Sequence, residues 1–155
     1  MTNNDILRRL RYALDIKDST MIEIFKLSEY EIARSDLIDL LKKEEDEGYV
    51  DCSDEVMGLF LDGLIIHKRG KREMTPGQVG KPDSPLTNNG VLKKLRIALK
   101  FREDDMLGTL KLAGMNLSKS ELSALFRKEG QRHYRECGDQ LLRNFLKGLT
   151  MRFRD

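Results

Sequence analysis

Apolar residues recur along this chain at spacings of three and four, the period of a helix with one buried face. Ile6, Leu7, Leu10, Ala13 and Leu14 form the first such stripe, and Asn3 or Asn4 is placed to cap it. A second helix is predicted after Asp18, carrying Met21, Ile22, Ile24, Phe25 and Leu27. A third follows Ser35 with Leu37, Ile38, Leu40 and Leu41. Ser53 or Cys52 opens a fourth, with Val56, Met57, Phe60, Leu61, Leu64 and Ile65. No segment alternates apolar and polar residues as a half-buried strand would. The same four patterns return in the second half, so the fold class is all-α.

That return is an internal repeat. Residues 3–70 align on 88–155 without a gap at a shift of 85, with 23 identities in 68 positions. The phrase "NNDILRRLRYAL" becomes "NNGVLKKLRIAL", and Arg11/Arg96, Cys52/Cys137, Asp54/Asp139 and Gly63/Gly148 fall in register. The three prolines, Pro76, Pro82 and Pro85, all lie in residues 71–87, which read as a linker. The chain therefore divides into a repeat at 3–70, a linker at 71–87 and a repeat at 88–155. A unit of this size buries only a marginal core alone. The two are expected to pack about a pseudo-two-fold axis, and two independent beads on a linker are the alternative. Gly63 and Gly148, inside the fourth helix of each unit, are expected where two helices cross closely, because a mid-helix glycine otherwise costs about 1 kcal/mol.

Charge separates what the repeat makes alike. Residues 3–70 carry a net −6 and residues 88–155 a net +7, hidden in a total of +2. Asymmetry of this kind points to partner binding. In one reading the basic unit faces DNA or RNA and gains affinity by releasing counterions from phosphate. Within 110–130, an apolar helix ends near Gly114 and a new one opens at Ser118, a weak helix-turn-helix pattern. Lys119, Ser120, Ser123, Arg127 and Lys128 are its candidate contacts, and Lys93, Lys94 and Arg96 add charge on another helix. The matching helix of the acidic unit carries Asp36, Asp39, Glu44 and Glu45, which repel phosphate. In the other reading the acidic and basic repeats attract each other, within one chain or between chains. The protein is then a self-associating module or an adaptor for a protein partner.

Residues that would carry other chemistry are sparse. Cys52 and Cys137 hold matching places but lack CxxC spacing, and His67 and His133 are not repeat partners, so a metal set is not expected. Both cysteines read as small buried residues before a helix, beside an aspartate that caps it. No Walker A loop, GxGxxG, HExxH or nucleophile–base motif is present. The run "KKEEDEG" reads as a solvated helix end, and "KRGKR" at 68–72 as a basic helix terminus. Catalytic residues and cofactors are accordingly not expected. No apolar run reaches the roughly 20 residues of a membrane span, and the N-terminal arginines do not form a secretory signal. Cytoplasmic location with reduced thiols is the expectation.

The quoted phrases, with "LLKKEEDEGYVDCSDEVMGLFLDGLIIHKRGK" and "YRECGDQLLRNFLKGL", resemble the YehS family of bacterial proteins of unknown function (domain of unknown function 1456). The resemblance spans both repeats. It implies a soluble bacterial protein with a duplicated helical unit, and it brings no activity, ligand or catalytic residue. The reading from the residues stands beside it: a non-enzymatic binding protein that engages nucleic acid through its basic repeat.

Overall fold

The computed structural model describes residues 1–70 and 85–154. Most of the linker, with Pro76, Pro82 and the end of the "KRGKR" cluster, lies outside the described residues. Among the described residues eight helices follow one another: α1 (Asn3–Ala13), α2 (Asp18–Leu27), α3 (Arg34–Leu41), α4 (Asp54–Arg69), α5 (Asn88–Leu99), α6 (Glu103–Leu112), α7 (Lys119–Leu125) and α8 (Asp139–Arg154). No strand occurs among the described residues. The helices α5–α8 repeat the order of α1–α4. Backbone conformation repeats too: positive φ is found at Asp15 and Lys100, at Glu29 and Gly114, and at Gly48 and His133, each pair one repeat apart.

The asparagine pair that opens each repeat does not cap its helix. Thr2 caps α1 and Thr87 caps α5, each hydroxyl accepting the backbone N–H of Asp5 or Gly90 at 3.1 Å. The asparagines instead reach inward from the first turn. Asn4, only 1% exposed, donates from Nδ2 to the carbonyls of Leu40 and Val50, both at 2.9 Å, and its Oδ1 accepts the N–H of Cys52 at 2.9 Å. Asn89 repeats the arrangement on Leu125, Arg135 and Cys137 at 2.9, 2.9 and 2.8 Å. Asn3 and Asn88 donate to the carbonyls of Cys52 and Cys137 and to the carboxylates of Asp54 and Asp139. One dipeptide thus satisfies the loop that carries the chain from the third helix to the fourth, a segment with few backbone partners of its own. The cap of α4 is Ser53, which accepts from the Val56 N–H. Asp54 lies one residue inside the helix, so the capping role expected of the aspartate belongs to its neighbour.

Gly63 and Gly148 sit where a side chain cannot. A β-carbon on Gly63 would lie 2.0 Å from the Ile24 carbonyl oxygen, and one on Gly148 would lie 2.0 Å from that of Thr109. Helices α2 and α4, and likewise α6 and α8, therefore cross backbone to backbone at the positions expected from the sequence.

The units are joined rather than strung apart. Their most extensive mutual contacts run α4 against α5 and α1 against α8. Exchanging the two repeats turns one of these seams into the other, which is the pseudo-two-fold relation. Within a unit, the first and fourth helices touch much less. Buried side chains of both units, among them Leu7, Leu10, Phe60, Leu92, Leu95 and Phe145, belong to one continuous core. No helix among the described residues is long and apolar enough to cross a membrane.

Candidate anion-binding groove between the repeats

The two seams use the same positions with different charges. In the α4–α5 seam, the Lys94 ammonium forms an ion pair with the carboxylate of Asp62, which is buried. Arg69 adds a hydrogen bond from Nη1 to the Ile97 carbonyl at 3.1 Å. A charge at this depth is tolerated because its partner is in place. One repeat away, the residues matching Lys94 and Asp62 are Arg9 and Lys147. The α1–α8 seam thus sets two cations where its twin sets a pair.

The α1–α8 seam is tied at both ends and open between. At one end the Met1 ammonium donates to Asp139 at 2.8 Å, and this bond, with a second from Asn88, holds the Asp139 carboxyl below its usual range. At the other end Arg154 pairs with Asp15 at 2.9 Å, its guanidinium 4.2 Å from the centre of the Tyr12 ring. Between the ties lies a groove of about 520 Å³ lined by Arg8, Arg9 and Tyr12 of α1 and by Gln140, Arg143, Asn144, Leu146, Lys147 and Thr150 of α8. Four of these side chains are cations and none is a carboxylate. Arg8 is held by Asp5 and by the Lys42 carbonyl at 2.7 Å, and Arg143 donates to the Gln140 side chain at 3.1 Å. Arg9 and Lys147 are exposed, and among the described residues their side chains carry no hydrogen bond or ion pair. Cations of one sign along a concave wall raise the local concentration of anions.

None of the eight cations and hydroxyls expected from the sequence lines this groove. Lys93 is exposed on α5, but Lys94 is occupied by Asp62. Arg96 is half-buried, its Nε donating to the Phe101 carbonyl at 3.2 Å and its guanidinium 4.7 Å from the Phe126 ring centre. Lys94 is spent inside the protein, whereas Arg96 also lines an open pocket of about 430 Å³ with Arg69, Lys100 and Arg102. Lys119, Ser120 and Ser123 are exposed on α7, and Lys128 is exposed beyond it. Arg127 is half-buried and donates to the Arg132 carbonyl at 3.2 Å. The turn and second helix expected here are present, with Ser118 and Glu121 forming a capping box. Arg135 pairs with Glu121 at 3.2 Å, which places a carboxylate among the exposed residues of α7. The matching sequence signal for the groove was the charge inversion from Asp62 to Lys147.

The remaining candidates are structural. Burial pushes the Cys52 thiol up to about 12 and the Cys137 thiol up to about 11. Thiols held neutral in this way are poor nucleophiles and poor metal ligands at ordinary pH. His133 is an exposed loop residue at the position that Gly48 takes in the first repeat. Among the described residues, no three His, Cys, Asp or Glu side chains gather into a metal-binding group.

A family model described as "Protein of unknown function (DUF1456)" matches residues 3–70 and again 88–155. The chain belongs to the DUF1456 family. The two matches coincide with the two helical repeats, so the DUF1456 unit is one set of four helices and this protein holds two. The chain is 41% identical to the "Uncharacterized protein YehS" of Escherichia coli (strain K12) over 152 residues, which cover 98% of this chain and 96% of that protein. No solved structure matches the chain.

Proposed function

We propose that this DUF1456 protein is a non-enzymatic, cytoplasmic nucleic-acid-binding protein that engages phosphate through the basic surface of its second repeat. The observation that carries the reading is the α1–α8 groove, where Arg143 and Lys147 of the basic repeat meet Arg8 and Arg9 with no lining carboxylate. Phosphate contacts of this kind supply affinity through counterion release and little base discrimination. The exposed Lys93, Lys119 and Lys128 extend the positive charge of the same repeat. Tyr12, 58% exposed at the edge of the groove, supports a single-stranded ligand, because aromatic faces stack unpaired bases. The rival reading, an adaptor that pairs acidic with basic repeats, has less to work with. Lys94–Asp62 and Arg154–Asp15 already join acidic and basic repeats inside one chain.

Fluorescence anisotropy of single- and double-stranded oligonucleotides against the full chain at two salt concentrations tests the proposal. Affinity should fall with salt at a slope of about −0.7 to −0.9 per phosphate neutralised. Arg143→Glu should weaken binding and flatten the slope. Absence of binding at low salt sinks the reading.

A further inference from the structure

We infer that the α1–α8 seam is completed by a bound phosphate group, held between Arg9 and Lys147 in the role that the Asp62 carboxylate plays for Lys94. The inference rests on the nucleic-acid reading only for the source of the phosphate, which is either a nucleic-acid strand or a free phosphorylated molecule.

The repeat itself supplies the comparison. Two seams of matching helices enclose the same register positions, and one is closed by an anion that belongs to the chain. In that seam Glu55 and Asp62 of α4 stand at the positions that Gln140 and Lys147 take on α8, facing α5, which contributes Lys93 and Lys94. Glu55 and Asp62 are lost in α8, although Asp54 is kept as Asp139, and Gly58 is replaced by a further cation, Arg143. On the opposite wall Lys93 and Lys94 become Arg8 and Arg9, so no charge is lost there. The result is a seam whose walls repel each other across a groove wide enough for a ligand. Like charges gathered at a surface destabilise it unless a counterion sits between them. Arginine is suited to the task because its planar fork grips phosphate oxygens in pairs. A phosphate bound here touches α1 of one repeat and α8 of the other. Binding therefore tightens the junction of the repeats and stabilises the fold by mass action.

The test uses the full chain, inorganic phosphate and a single-stranded oligonucleotide. Thermal unfolding is followed with phosphate or chloride at equal ionic strength. Phosphate should raise the midpoint of the parent protein and leave Lys147→Asp unmoved, because the new carboxylate pairs with Arg9. Without phosphate, that variant should melt above the parent. Arg9→Glu, which offers Lys147 a partner, should behave alike and guards against one substitution misfolding for its own reasons. Lys147→Arg should retain the phosphate response. The oligonucleotide should bind Lys147→Asp about tenfold more weakly than the parent, the factor carried by a charge-assisted hydrogen bond.

Equal stabilisation of the parent and both charge-reversed variants by phosphate overturns the inference, as does a lower melting point of both without phosphate. If the oligonucleotide binds the parent and Lys147→Asp equally, a nucleic-acid strand is not the source of the seam phosphate, and nucleic-acid binding stands on another surface. If phosphate protects the parent selectively and no oligonucleotide binds, the seam site stands with a small phosphorylated ligand and the nucleic-acid reading falls.

Discussion

Gly148 faces the backbone carbonyl of Thr109 so closely that a β-carbon on it would lie 2.0 Å from the oxygen. No rotamer change relieves such a clash, because both partners are main chain. Gly148→Ala must push α8 away from α6 and should destabilise the protein by at least on the order of 1–3 kcal/mol, with Gly148→Leu worse. Gly58, also inside α4, has nothing within 4 Å of the same probe atom. Gly58→Ala should therefore stabilise by about 0.5–1 kcal/mol through helix propensity alone. Denaturant unfolding of both variants decides; similar effects at the two glycines contradict the packing account.

Asn4 offers a sharper test of buried polarity. Its amide faces two carbonyls and an N–H at 2.9 Å each. Asn4→Ala strands all three and should cost about 1–3 kcal/mol for each group that water cannot reach. Asn4→Asp keeps the shape but turns a donor into an acceptor against the Leu40 and Val50 carbonyls. It should be the more damaging of the two at neutral pH, as read by the midpoint of urea unfolding.

His133 has φ 67°, at the place where Gly48 has φ 86°. Left-handed backbone strains a residue with a β-carbon by roughly 1–2 kcal/mol. His133→Gly should raise stability by up to about 1 kcal/mol after the entropy that glycine adds to the unfolded chain. A melting temperature unchanged or lowered argues that the imidazole has a role the fold does not explain.

The two thiols link stability to alkaline pH. An unfolded cysteine ionises near pH 8.5, whereas burial raises Cys52 to about 12 and Cys137 to about 11. Between pH 8.5 and about 11 the unfolded chain has released protons that the folded chain still holds. Stability must therefore decline as pH rises through that window. The decline should be shallower in the Cys52→Ala, Cys137→Ala double variant. A thiol reagent should label neither cysteine at pH 8 until denaturant is added.

Much of this fold was legible because helical periodicity and a gapless repeat leave few alternatives. Gly63 and Gly148 announced themselves by recurring where helix propensity disfavours them. The asparagine pair misled, since asparagine is a good cap and nothing local distinguishes a cap from a side chain that reaches a loop 36 to 48 residues away. The groove was harder still. Net charge per repeat places Arg8 and Arg9 in an acidic unit, and only packing brings them against Arg143 and Lys147. Packing also decides that Lys94 is consumed internally, which no count of lysines and arginines reveals.

The exchange of neighbours between the repeats sets the order in which this chain can be made. Helix α1 leaves the ribosome well before its main neighbour, α8, which follows after six intervening helices among the described residues. Until then α1 carries an unmatched apolar face, whereas α4 meets its partner α5 as soon as the next helix is made. Closing contacts of such long sequence separation slows folding. During the wait, the bare face of α1 suits the α8 surface of any neighbouring copy as well as its own, the condition under which domains swap. A slow final docking step and concentration-dependent refolding follow from where two helices happen to sit.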